Sequence, residues 1–214
     1  MDSLKIDFLT QFICESDAIE GITDDKALVK AQVESGHTRG HVGALLHLDR
    51  MAQARELLTE RDICSVQALI TREQHDKGER RLPAHHVGHY RNERVWVGSR
   101  ETSPHQEVPS LMREYFIVAT RLLGANTYFA REERVRIIAK LHYAFLMIHP
   151  FADGNGRTSR AIAYYHYVYC GLEPFIFTSA DRIDDYYPCF DDTDLECKKV
   201  QDYFLKRTKC LADF

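Results

Sequence analysis

Residues 131–171 read REERVRIIAKLHYAFLMIHPFADGNGRTSRAIAYYHYVYCG, two helical patterns separated by a loop that neither can absorb. In the first, Val135, Ile138, Leu141, Phe145 and Ile148 recur at intervals of three and four and define one buried face. Pro150 lacks an N–H and restricts the residue before it, so that helix must stop near His149. A second helix starts at about Asn155 and ends at Gly171. The turn between them, HPFADGNGRTSR (residues 149–160), gathers a histidine, an acid, two glycines around an asparagine, and two arginines.

Those residue types suit one kind of chemistry. Gly154 and Gly156 permit torsions that turn successive N–H groups to one concave side, a nest for anions. The positive end of the second helix points into the same hollow. Arg157 and Arg160, three apart, share a face near its start. Phosphate is the anion that suits both a nest and two planar cations. Asp153 stands at the edge, where a carboxylate beside phosphates usually implies Mg²⁺. His149, with an ordinary pKa of about 6.5, is the natural general base. Phe151 points away and anchors the loop in the core. The residues therefore predict attack on a nucleotide phosphate by a hydroxyl that His149 activates. The plain alternative is a helix–turn–helix link with an Asp N-cap and solvated arginines.

The remainder reads as mostly helical, without repeats or low-complexity linkers. KALVKAQVESG and VGALLHLDRMAQARELLTERD have helical spacing, and Thr59 with Asp62 forms a capping-box-like start to TERDICSVQALITREQ. Val95 and Val97 alternate with polar neighbours before Gly98, which predicts a short β-hairpin. PSLMREYFIVATRLLG is a helix expected to close on Gly124 as its left-handed residue. A chain of 214 residues with 44% apolar and 28% charged side chains suits a single domain over 1–214. A net charge of −4 offers nothing to nucleic acid, and no apolar run approaches the roughly 18 residues of a membrane span. The N-terminus lacks a secretory pattern, and six cysteines without a CxxC pair read as reduced thiols, so the expected location is the cytoplasm. His85 and His89 are spaced like metal ligands, but Pro83 and Gly88 oppose a helix there.

HPFADGNGRTSR resembles the Fic motif, His-Pro-Phe-x-Asp/Glu-Gly-Asn-Gly-Arg-x-x-Arg, at every defining position. With the preceding helix, the hairpin and a later Tyr-Tyr, the resemblance covers roughly residues 10 to 205, with a core at about 60–205. It implies an all-α fold with a small β-hairpin flap, and transfer of AMP from ATP to a Ser, Thr or Tyr hydroxyl of a target protein or of the enzyme itself. On this resemblance His149 deprotonates the hydroxyl and Asp153 holds Mg²⁺. Gly154, Asn155 and Gly156 form the anion hole, Arg157 and Arg160 bind the β- and γ-phosphates, and Thr158 and Ser159 complete the phosphate-binding stretch. Val97, Gly98, Ser99 and Arg100 match the flap, which aligns a target peptide by strand pairing. Tyr186 and Tyr187 match a tyrosine pair beside the nucleoside. Asp194 stands where the family often has an adenine-binding Asn; Asp accepts from the adenine amine but donates only when protonated. Gly156 separates the chain from a phosphotransferase branch that carries Lys there.

Upstream, SDAIEG resembles the inhibitory Ser/Thr-x-x-x-Glu-Gly/Asn helix of the same family. Ser16 and Glu20 share a helical face and Gly21 ends the turn. The resemblance implies an inhibitory helix at about 12–21 whose Glu20 pairs with Arg160 and takes the γ-phosphate region. The leading expectation is an autoinhibited protein adenylyltransferase. Removal of AMP by way of Glu20, or a two-way enzyme, is the second; an ATP-sensing interaction module with vestigial catalysis is the third. A homodimer that holds the inhibitory helix fits the resemblance. The identity of the target is not written in the chain.

Overall fold

The computed structural model describes residues 1–77, 82–97, 100–190 and 196–210, with the backbone alone for 73–77, 100, 209 and 210. Eight α-helices carry it: α1 Ser3–Ile19, α2 Lys26–Ser35, α3 Gly40–Gln53, α4 Glu60–Lys77, α5 Val108–Gly124, α6 Arg131–Ile148, α7 Asn155–Tyr169 and α8 Lys198–Cys210. Between α4 and α5, β1 (Trp96–Val97) and β2 (Arg100–Glu101) form an antiparallel pair with Val97 opposite Arg100. The fold is all-α with a small hairpin, as expected. Among the described residues no helix is long and apolar enough to cross a membrane.

Helix α7 lies at the centre, packed on α3, α4, α6 and α1. Its residues from Ala161 to Tyr165, and Tyr167, are all buried. A helix buried on every side must satisfy the polar tips of its aromatics. Here Tyr164 donates to Asp49 Oδ1 at 2.6 Å, Tyr165 to the Glu56 carbonyl at 2.5 Å, and Tyr167 lies 2.8 Å from Thr208 Oγ1. These tyrosines are packing residues, as their spacing suggested.

Two boundaries differ from expectation. The helical pattern running from Val42 to Asp62 is split, because Arg55 adopts a left-handed φ of 58° just after α3 and turns its guanidinium onto the Tyr169 carbonyl and ring. Helix α4 then restarts on the expected capping box: Thr59 N–H donates to Asp62 Oδ2 at 2.9 Å, and Asp62 N–H to Thr59 Oγ1 at 3.3 Å. Gly124 is not a left-handed cap; it is the last residue of α5, and Ala125 caps the helix.

Helix α1 begins well before residue 12. Asp2 caps it by accepting from Lys5 N–H at 2.8 Å, and it ends at Ile19, with Glu20 as its C-cap and Gly21 at φ 76°. Leu9, Phe12, Ile13 and Ile19 are buried. Lys5 Nζ reaches Asp49 at 2.7 Å, while Ser179 donates through its N–H and hydroxyl to Glu15 Oε2 at 2.7 and 2.8 Å. The Phe12 ring meets Tyr164 and Phe177 edge-on, with centroids 5.6 and 6.3 Å away. This helix is a core element. Phe12→Ala is expected to lower unfolding free energy by about 3–5 kcal/mol, measured by urea denaturation. A loss below about 1 kcal/mol would mean that α1 docks only through its polar groups.

Candidate active site

The turn after α6 is held by three side chains. His149 closes α6 in a left-handed conformation (φ 51°), its N–H donating to the Phe145 carbonyl at 2.9 Å. Asn155, buried, accepts from Phe151 N–H at 3.0 Å and donates to the Phe151 carbonyl at 2.8 Å, clamping the loop across its mouth. Gln67 of α4 donates to the Asp153 carbonyl at 3.0 Å and accepts from Gly88 N–H at 2.6 Å. Arg91 does the most. Its Nε donates to the His149 carbonyl at 2.7 Å, and its Nη atoms reach the carbonyls of Ile148, Glu93 and Ser103. A buried guanidinium thus satisfies the carbonyl end of α6 and ties the base of the hairpin to the residue before Pro150. The sequence reading missed Arg91 and Gln67. Neither lies in a motif, and only chain packing brings them to the loop.

His149 Nδ1 lies 3.3 Å from the Leu146 carbonyl, which assigns its proton to Nδ1 and leaves Nε2 as the acceptor. Burial pulls its pKa down to about 4, so the ring is neutral at physiological pH and able to take a proton.

The start of α7 is more selective than the motif suggested. Gly154 takes a left-handed φ of 79°, but its N–H is already donated to Asp153 Oδ1 at 2.7 Å. Gly156 is helical, so its torsion does not require glycine. Its need is space: a Cβ there would come within 2.2 Å of Glu20 Oε1. Thr158 N–H donates to the Gly154 carbonyl at 2.9 Å, and Ser159 Oγ donates to the Gly156 carbonyl at 2.8 Å. Both side chains are buried; the Ser159 hydroxyl is taken up by this bond, while Thr158 Oγ1 has no hydrogen-bond partner among the described residues. The donors left at the helix start are the N–H groups of Asn155, Gly156 and Arg157, which have no acceptor one turn back. Arg157 lies between two acids, with Nη2 4.0 Å from Asp153 Oδ2 and Nη1 3.8 Å from Asp17 Oδ1.

Arg160 is 1% exposed. It meets the end of α1: Nε donates to Ser16 Oγ at 2.9 Å, and Nη2 donates to the Ser16 carbonyl and to Glu20 Oε1, each at 2.8 Å. Burial pushes the Glu20 carboxyl up, and the Arg160 charge and hydrogen bond more than offset this, holding it below the usual range. Asp17 joins from the same turn. It lies 3.0 Å from His41 Nδ1 of α3, and its pKa, raised by burial, is pulled down further by His41 and Arg157. Ser16, Asp17 and Glu20 therefore bring the last turn of α1 onto both arginines of the loop.

The Fic/DOC family profile matches residues 57–167. The chain belongs to this family. It is 27% identical over 189 residues to a protein adenylyltransferase Fic of Nematostella vectensis, a match covering 82% of this chain and 41% of that protein. It is 33% identical over 95 residues to the like-named protein of Culex quinquefasciatus, covering 44% of this chain and 18% of that one. The chain thus spans about two fifths of the length of the Nematostella relative. Its fold matches a Fic domain-containing signalling protein of Bacteroides thetaiotaomicron with a TM-score of 0.72 at 22% identity, over 98% of this chain and 84% of that one. It also matches Fic-1 of C. elegans with a TM-score of 0.71 at 19% identity, over 100% and 62%. These two likenesses are of fold.

The Fic profile stops short of both α1 and the tyrosine pair, where the structure separates two residues that the sequence treated alike. Tyr187 is 39% exposed, its hydroxyl 3.4 Å from the Ile19 carbonyl and its ring 5.1 Å from Arg182. Tyr186 is buried beneath Arg160, not open to a nucleoside. Its hydroxyl lies beside the Arg160 charge and donates to His142 Nε2 at 2.9 Å, and His142 Nδ1 donates to the Ser159 carbonyl at 3.2 Å. Burial pulls the His142 pKa down to about 3, in keeping with this neutral tautomer. His142, read from sequence as a packing residue, is thus a polar support of the second Fic arginine. Of the flap, Val97 is exposed in β1 and Arg100 pairs with it through the backbone; Gly98, Ser99 and Asp194 lie outside the described residues. Tyr186→Phe leaves His142 Nε2 without its buried partner and removes a polar oxygen from beside Arg160. It is expected to reduce stability by about 1–3 kcal/mol in denaturant unfolding; a change under about 0.5 kcal/mol would leave the phenol only a packing role.

Proposed function

We propose that this chain transfers AMP from ATP to a hydroxyl side chain of a target protein, and that Glu20 holds the reaction in check. The family supports nucleotide chemistry, and the observation that carries the second half is the Glu20–Arg160 pair at 2.8 Å. In the reaction, His149 Nε2 accepts the proton of the target hydroxyl. The freed oxygen attacks the α-phosphorus, and the bond to the bridging oxygen breaks, releasing pyrophosphate. The N–H groups of Asn155, Gly156 and Arg157 receive oxygens of the phosphate chain, and Arg157 and Arg160 take up the charge of the departing pyrophosphate. The target backbone pairs with the hairpin edge at Val97.

Asp153 is the fitting residue for Mg²⁺, since its side chain is 35% exposed and Mg²⁺ takes one or two carboxylates with phosphates and water. Bound there, the ion would neutralise phosphate charge. Among the described residues no group of three or more His, Cys, Asp or Glu stands ready for a metal, so the nucleotide itself must supply ligands. The described cysteines are free thiols, which supports a reducing compartment such as the cytoplasm.

The Glu20 charge is felt at His149, which supports a second reading in which this carboxylate directs a water at an AMP ester. One variant separates the two readings. Glu20→Gly removes the competitor for Arg160 and is expected to raise AMP incorporation from labelled ATP at least about tenfold, the effect of relieving about 1.4 kcal/mol. If the variant gains no incorporation on any target or on itself while still binding Mg·ATP, the restraint is not Glu20. If it accumulates AMP on targets that the wild type strips, Glu20 serves removal.

The second expectation concerns pH. A base is active when deprotonated, so lowering its pKa extends activity toward acid. In the Glu20→Gly enzyme the acid limb of kcat/KM for the target should lie near the depressed value of about 4. A limb at about 6.5, the value of free imidazole, would show that the base is not the buried His149.

A further inference from the structure

Helix α5 presents an outward face that neither helix formation nor the active site accounts for. Its buried side is Val108, Met112, Tyr115, Ala119 and Leu123. On the outward side, by 100° per residue, lie Ser110, Glu114, Ile117 and Arg121, with Val118 flanking them. Ile117 is 60% exposed and Val118 48%. Both are β-branched and less favourable in a helix than Ala, Lys or Glu, so an exposed helix gains nothing from them. Beside them runs a shallow groove lined by Phe116, Ile117, Thr120 and Arg121.

The order of residues on this face names its occupant. Its midpoint falls between Ile117 and Val118. Glu114 and Arg121 stand at equal distances on either side of it, and both lie near the centre line of the face. Seven residues apart, they are separated by about 10.5 Å along the axis and cannot pair within one chain. Neither forms an ion pair with any other described residue. A two-fold axis through the midpoint, perpendicular to α5, lays a second α5 antiparallel on the first. It sets Ile117 against Ile117 and Val118 against Val118 of the partner. It also places each Glu114 against an Arg121 of the other copy, making two ion pairs. Arg113, to one side, falls opposite the small Thr120 and Gly124, so no like charges are forced together. A self-complementary patch of this kind is what an isologous interface requires.

We propose that the α5 face binds a second copy of this chain as an antiparallel, two-fold dimer centred on Ile117 and Val118. The interface is independent of the catalytic reading, and its size, one helix face per copy, places it among weaker associations. The test is sedimentation velocity of the full chain up to high micromolar concentration, with circular dichroism to confirm folding. Wild type should dimerise reversibly, and Ile117→Asp should be monomeric throughout. Glu114→Arg and Arg121→Glu, each setting like charges against one another twice, should raise Kd about tenfold or more. Glu114→Arg with Arg121→Glu restores opposite charges and should bring Kd back to within about threefold of wild type. A wild type that stays monomeric overturns the proposal. So does a dimer that survives Ile117→Asp, since it would use another face, and so does a double variant as weak as the single ones.

Discussion

A guanidinium that is 1% exposed needs polar partners, and in this protein Arg160 is met by two different parts of the chain. Ser16 and Glu20 come from the end of α1, and Tyr186 from the turn after α7, itself backed by His142 of α6. Burying the charge alone would be prohibitive; burying it against the Ser16 and Glu20 acceptors is tolerable. The consequence is mutual dependence. Arg160 cannot stay in the core unless α1 is docked, and the last turn of α1 gains its polar anchor only from Arg160. An incoming anion must replace Glu20 without leaving the arginine unpaired, and a phosphate chain is chemically suited to that exchange.

The docking of α1 bears on how such an exchange would occur. Leu9, Phe12, Ile13 and Ile19 are in the core, and Lys5 and Glu15 are tied to other elements. Removing the whole helix would expose several large apolar side chains at roughly 1.5–3 kcal/mol each. Rotating one carboxylate at the helix end exposes none. Glu20 is the C-cap, with the left-handed Gly21 behind it, and its side chain is 26% exposed. The same end of α1 is therefore firmly placed in its backbone and adjustable in the one side chain that pairs with Arg160.

Gly156 shows how the two halves of the site depend on each other. The Glu20 carboxylate fills the space over it, so a side chain at this position would displace that carboxylate, while its own torsion does not require glycine. Ser159 shows the reverse: it lies inside the motif, but its hydroxyl is taken up by the Gly156 carbonyl of the same helix. Proximity in sequence to a binding loop says little about which of its groups remain free. The first turn of a helix has open N–H groups and the second does not.

What the sequence determined by itself was local. Pro150 and the glycines set where α6 ends and α7 begins, the spacing of apolar residues set the faces of both helices, and His149, Asp153, Arg157 and Arg160 within twelve residues carried the mark of the Fic/DOC family. The capping box at Thr59 and the hairpin at Val95 and Val97 were legible for the same reason, since each depends on neighbours a few residues away. Only the tertiary structure decided the rest. Arg91, Gln67, Asp17, His41 and His142 reach the site from distant positions, and a lone polar residue carries no mark of the buried partner it will find. The break at Arg55 was hidden because a left-handed residue after α3 is stabilised by Tyr169, far along the chain. Hydrophobic period and turn chemistry act over one or two helical turns, whereas the satisfaction of buried charge is settled only when the whole core has closed.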